Sequence, residues 1–416
     1  NDLAGAIARV EKALACGARG DDEGALRLVE SEARRWRGEN ELARTAAVLA
    51  MRWLRRGGPG WCDAASELAA ALGALGATDD LVALARELES AAPFGSHSQL
   101  VDALARVARP LFWAGKHALA KRVLARADAL ARSAAVQPTA LAALDMARGV
   151  EARVDGDPGA CVRWNELAVE QSALAGDLRG GCVERGNLGY AYNEIGAYAD
   201  AERALGEALA TADRLGLPLV AATARQNLGV ALARRGAFSE ALDLERVSFA
   251  TFEAQGDFRR AGCSLLYRAI VEAESGALLE AAASARRAAE MVASIAPLRC
   301  HALAVLAQIE LARGEAIEGA RTAGEAYALF NVLGNVDEGE SRVRLVRAEA
   351  ALARGDDAGA RAAMAEAVAR LLARAGKIGD AARREAFLGA IPENARTVEL
   401  ARAWGVAAAP ATAFGG

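Results

Sequence analysis

Four side chains near the middle of the chain, Asn187, Tyr190, Asn193 and Glu194, stand at spacings that bring them to one face of an α-helix. About forty residues further on, Gln226, Asn227 and Arg234 take the corresponding face, and Tyr267 and Glu274 follow after another forty. Arg106, Arg109 and Arg153 precede this set, and His301, Gln308 and Glu349 extend it. Amides, phenols and guanidinium groups in such rows suit recognition better than bond breaking. Asn187 and Asn227 are suited to paired hydrogen bonds with the backbone amides of an extended peptide, each buried bond contributing roughly 1 kcal/mol. The competing reading is an ordinary solvated helix face, or asparagines that cap neighbouring loops.

No catalytic constellation accompanies these rows. His97, His117 and His301 are far apart in the chain, and neither an HExxH nor a paired-Cys spacing occurs. The Gly115-Lys116 step has Pro110 where a phosphate loop needs a glycine, and there is no GxSxG. Asp79-Asp80 and Asp356-Asp357 read as helix caps and not as acid–base pairs. Arg34, Arg35, Arg37, Arg52, Arg55 and Arg56, interleaved with Trp36 and Trp53, can in principle clasp a phosphate backbone. The alternative is a solvated face whose tryptophans belong to the core, and the formal net charge of −4 gives nucleic acid no electrostatic support. The expectation is a non-enzymatic protein without metal or cofactor.

Alanine dominates the composition and favours helix. No uncharged apolar run approaches the roughly 18 residues of a membrane span. Six cysteines without close pairs fit a reducing, cytoplasmic setting, with Cys161 and Cys182 as inert packing residues. The chain opens on Asn1 without a signal peptide, as an excised piece of a longer protein would.

The elements that must position the polar rows are helical hairpins. In Asn187–Leu209 the residues Leu188, Gly189 and Tyr192 form one packing stripe, and Tyr198, Ala201, Leu205 and Ala208 form another beyond Gly196. The glycine at the corner recurs as Gly115, Gly156, Gly196, Gly236, Gly276, Gly314 and Gly355, at intervals of 38 to 41 residues. A small residue follows each corner by five positions, as Ala120, Cys161, Ala201, Ala241, Ala281, Gly319 and Ala360. A second series, Gly176, Gly216, Gly256 and Gly334, fits the left-handed position after a helix. Pro138, Pro218 and Pro297 fall near the first turn of the following helix. Two glycine registers in phase identify a stacked-helix array.

Residues 1–91 read as irregular repeats with helices at 3–17, 21–37, 40–56, 61–75 and 79–90, an odd number whose unpaired member is not evident. Asp21 or Asp22 would cap the second of them. A regular array follows over 92–374, then capping helices over 375–406, with Trp404 covering the end of the stack, and a flexible tail at 407–416.

The Leu188-Gly189, Tyr192, Gly196, Tyr198, Ala201 and Ala208 pattern resembles the tetratricopeptide repeat. The period near forty, the NLG motif and the Gly-Asp-x-Arg links at 176–179 and 256–259 resemble its longer variant. That variant occurs in scaffold proteins, bacterial peptide-pheromone receptors and sensor regions of bacterial signalling proteins. Departures are Arg185 in the tryptophan slot and Glu310 and Ala351 in the tyrosine slot. The closing segment, Phe387-Leu388 to Arg396, is similar to the C-termini of multidomain bacterial kinases and STAND ATPases. The resemblance implies an all-α, right-handed superhelical solenoid whose first helices line a concave groove, so the polar rows above become the groove wall. It also implies a protein or peptide partner, without nucleic acid or membrane, and a catalytic domain in the same parent chain. The expected role is the sensor or scaffold arm of a signalling protein. The alternative is the small-molecule effector domain of a regulator similar to the maltose activator.

Overall fold

The computed structural model describes residues 2–95 and 97–406; the tail at 407–416 lies outside the described residues. Among them are 21 helices and no strand. The first seven are α1 Leu3–Ala15, α2 Asp21–Trp36, α3 Asn40–Trp53, α4 Pro59–Leu75, α5 Thr78–Ser90, α6 His97–Trp113 and α7 His117–Ser133. Then come α8 Pro138–Val154, α9 Pro158–Ala175, α10 Leu178–Glu194, α11 Tyr198–Leu215, α12 Pro218–Arg234, α13 Phe238–Ala254 and α14 Phe258–Glu274. The last are α15 Leu278–Met291, α16 Ala296–Ala312, α17 Ala316–Leu333, α18 Glu340–Ala353, α19 Asp357–Ala375, α20 Ala381–Gly389 and α21 Pro392–Ala403. They follow one another as antiparallel pairs in a TPR-like solenoid.

The corners turn because glycine takes a positive φ there, for example +75° at Gly196 and +87° at Gly236, where a Cβ would be strained. The register reaches further back than the motif did. Gly38 between α2 and α3 and Gly76 between α4 and α5 have φ of +81° and +68°. Helix α2 packs on α3 and on α4, and α4 packs on α5 and on α6, so first helices touch first helices as in the later repeats. The unpaired helix is therefore α1. Position N1 of α2 is Asp21 and its N-cap is Gly20, so Asp21 and Asp22 favour the first turn by charge and neither caps it.

The chain divides into two compact units, described separately. One contains Asn1–Glu151, Arg163–Arg185 and Ala210–Ala221, the other Ala152–Val162, Gly186–Leu209 and Ala222–Gly416. The first has its core around Trp61, Leu72, Leu88, Leu100, Leu104 and Phe112, all buried. In the second, Ala281, Ala285 and Ala288 of α15 meet Leu265, Leu303 and Leu306 of the flanking first helices, and Phe330 closes the cluster. Small residues on the second helices let the backbones approach, and the first helices supply the volume. Where no side chain at all fits, the position is glycine: a Cβ on Gly189 would collide with buried Leu205. Trp404 packs against the cluster that contains Leu345, Met364, Val368 and Leu400.

Candidate functional site

In the first unit Arg106 forks onto Asp102 at 2.8 and 3.0 Å, and Asp102 also accepts from the Ser66 hydroxyl at 2.8 Å. Arg109 lies over the ring of Trp113, 5.5 Å from its centroid. Burial, with Asp102 adding to it, raises the Asp63 carboxyl to about 6. Burial also raises Glu184 to about 8, with Asp177 adding and Arg106 opposing. The arginine-rich stretch is largely neutralised. Arg34 bonds Glu30 and Glu39 at 2.8 and 3.0 Å, Arg35 bonds Glu67, and Arg37 bonds Glu39 at 2.7 Å. Its tryptophans are not core: Trp53 is 39 % exposed, and Trp36 is half-buried under the guanidinium of Arg35. The buried tryptophan of this region is Trp61.

All the other candidate residues fall in the second unit, on α8, α10, α12 and α14, with His301 and Gln308 on α16 and Glu349 on α18. Asn193 donates its side-chain N–H to the Asn227 carbonyl at 2.8 Å, linking α10 to α12. Gln226 donates to the Arg260 carbonyl at 3.1 Å and to the Ser264 hydroxyl at 2.7 Å, linking α12 to α14. These amides run from one first helix to the next and hold the repeats in register. The Asn187 Nδ2 is buried without a hydrogen-bond partner. Arg153 bonds Asp337 at 3.4 Å and stacks 5.0 Å from the Tyr190 ring centroid. Arg234 pairs with Glu274.

What the motif did not foretell is the neighbour of this wall. The short link from α20 to α21, residues 387–394, forms an elbow seated against it. Phe387 is 1 % exposed, and Ile391 and Asn394 are also buried. The Tyr198 hydroxyl donates to the Ala390 carbonyl at 3.4 Å, and Arg383 lies 5.4 Å from the Tyr192 ring centroid. Glu393 accepts from Arg342 at 3.1 Å and has Arg234 at 3.9 Å. Burial alone would raise the Glu393 carboxyl, but Arg342 and Arg234 hold it at about 2. A hollow of about 80 Å³ remains between elbow and wall, bordered by Tyr267, His301, Glu338 and Arg374 among others.

The hollow is charged and dry enough to shift its groups. Tyr267 donates to Glu338 at 3.0 Å. Burial, reinforced by Glu194 and Asp337, raises Glu338, and burial raises Glu194 against the pull of Arg374 and Arg153. Burial lowers His301 to about 3, with Arg342 adding to it, so the ring is neutral near pH 7. Both its nitrogens lack a hydrogen-bond partner. Among the described residues no three His, Cys, Asp or Glu side chains gather as a metal would need, and no helix is long and apolar enough to cross a membrane. Cys161 and Cys182 are buried.

No family model matches the sequence, and no curated protein matches it either. Among solved structures, a Rap protein complexed with competence and sporulation factor overlays with a TM-score of 0.61 at 11 % identity. The overlay covers 83 % of this chain and 99 % of that one. The Rap conjugation gene regulator of plasmid pLS20, in complex with the Phr* peptide, gives 0.49 at 11 % identity over 84 % and 99 %. A STAND protein with a tetratricopeptide repeat sensor from Pyrococcus horikoshii gives 0.45 at 15 % identity over 79 % and 52 %. The last two overlays are too loose to bear on the argument. At 11 % identity the first establishes a shared fold, and that fold is the TPR-like array.

Proposed function

We propose that the second unit is a polypeptide-binding regulatory module without catalytic activity, serving as the sensor or scaffold arm of a bacterial signalling protein. One observation carries this reading: the wall of first helices already holds a polypeptide. It does so with guanidinium groups on a carboxylate, while Phe387 and Ile391 are buried beside the same hollow, the anchor-and-clamp chemistry of peptide recognition. That a Rap protein of the same fold was solved with competence and sporulation factor agrees with this reading. Release of an attached catalytic domain would follow if the partner binds one arrangement of the array better than another.

A thermal-shift screen of peptide pools against metabolite pools tests it: peptides raise the melting temperature and metabolites do not. Replacing Asn187 and Asn227 together by Ala weakens peptide binding while leaving the fold intact; unchanged affinity would remove these two from the site. A small polar effector is the second reading, favoured by His301 beside the hollow, whose nitrogens make no hydrogen bond and whose Nδ1 has Glu338 at 3.7 Å. Metabolite stabilisation without peptide stabilisation would decide for it.

A further inference from the structure

The elbow lies against the face of the wall that a ligand would meet, and its first arm is short. Helix α20 is nine residues long with Phe387 its one buried residue, too short to persist without its docking contacts. Beyond the apolar anchors, the bond between Glu393 and Arg342 is the charged latch, with Arg234 behind it. A docking surface that fits this segment fits others of the same pattern. We propose that the partner of the wall is a peptide segment with apolar anchors four residues apart and a carboxylate two positions further on. Phe387, Ile391 and Glu393 are its built-in mimic, which the partner displaces.

The inference rests on the polypeptide-binding reading and narrows it to a ligand class. An internal occupant competes at the high local concentration of a tethered segment, so the wild-type chain binds a free peptide weakly. Loosening the elbow restores the affinity. Gly196 offers the means, because a Cβ there would lie 2.8 Å from the Ala386 carbonyl oxygen and 3.2 Å from the Ala390 Cβ. Gly236 has the same kind of positive φ with nothing within 4 Å, so its alanine variant carries the backbone strain without touching the elbow.

The probe is a fluorescein-labelled peptide copying residues 385–398, titrated into the full chain and followed by anisotropy. Binding at least tenfold tighter to Gly196→Ala than to wild type or Gly236→Ala is expected. It should disappear when the peptide carries Glu393→Lys or the chain carries Arg342→Gln. If Gly196→Ala does not fold by circular dichroism, Glu393→Gln in the chain replaces it, since this frees the latch without backbone strain. Equal binding to all chains, or undiminished binding of the charge-reversed peptide, overturns the proposal. A pool peptide that stabilises the chain but is not competed by the elbow peptide defeats this inference and leaves the broader reading standing. If no peptide binds any chain, both fall.

Discussion

Replacing Gly196 and Gly236 by Ala, one at a time, separates the corner's backbone requirement from the docking of the elbow. Both glycines sit in the left-handed region, at φ of +75° and +87°. An L-residue there costs roughly 1–2 kcal/mol, and that is the whole cost at Gly236, where the added methyl meets no atom. At Gly196 the methyl must also push away the backbone of Ala386. Forcing an extra methyl into a filled site costs typically about 1–3 kcal/mol, so the expected total is about 2–5 kcal/mol, unless the elbow lifts and its anchors are lost to water instead. Urea midpoints give the two differences in stability. Hydrogen exchange of the amides from Ala381 to Ala403 shows where the Gly196 effect lands. Equal destabilisation by both variants, within about 0.5 kcal/mol, together with unchanged protection of α20 and α21, would refute elbow docking at this corner, since additive errors are of that size.

The remaining expectations concern charge and thiols. Glu338 is a carboxyl whose folded pKa is raised above its unfolded value, so the folded state binds its proton more tightly and stability falls as pH rises from about 4.5 toward its folded value near 8. Glu338→Gln removes that slope; melting temperatures at pH 5 and pH 8.5 should show the variant gaining on wild type at the higher pH. His301 works in the opposite sense. Its folded pKa is depressed to about 3, so the unfolded chain takes up a proton first and stability falls as pH drops below about 6.5; His301→Asn should flatten that acid limb in the same melts. Arg153→Met leaves the half-buried Asp337 without its guanidinium and should cost about 1–3 kcal/mol in urea unfolding. Cys16 is exposed, whereas burial pushes Cys62, Cys263 and Cys300 up to about 12 and Cys161 to about 11. A thiol reagent should therefore modify one cysteine of the native chain quickly and the rest only on unfolding.

The corners were legible because a left-handed turn is a local demand that glycine alone meets cheaply, and because Pro138 and Pro218 mark helix starts by their own geometry. Gly38 and Gly76 obey the same demand, but the second has Leu81 where the motif places a small residue, which hid its place in the series. The shared face of Asn187, Tyr190, Asn193 and Glu194 follows from helical spacing. That Asn193 and Gln226 spend their amides on the neighbouring helix does not, since the acceptors are a carbonyl and a hydroxyl more than thirty residues away. Glu393 escaped notice for the same reason: its partners Arg234 and Arg342 lie more than fifty residues away in the chain, and Arg342 has no local mark that sets it apart from other arginines. Trp53 was misplaced because helix position says which face a residue takes, not whether anything covers it.

Around the turn after α8, the Val154 carbonyl accepts from Asn335, the Asp155 carbonyl from Lys377, and Arg153 reaches Asp337. Such ties join positions some two hundred residues apart. An open array tolerates duplication or loss of a repeat, since each neighbour meets only the next. Here a gained or lost hairpin would slide Asn335 and Lys377 out of reach of their carbonyls. The number of hairpins is thereby a fixed quantity, and lengthening this unit by copying one should fail where it would succeed in an untied rod.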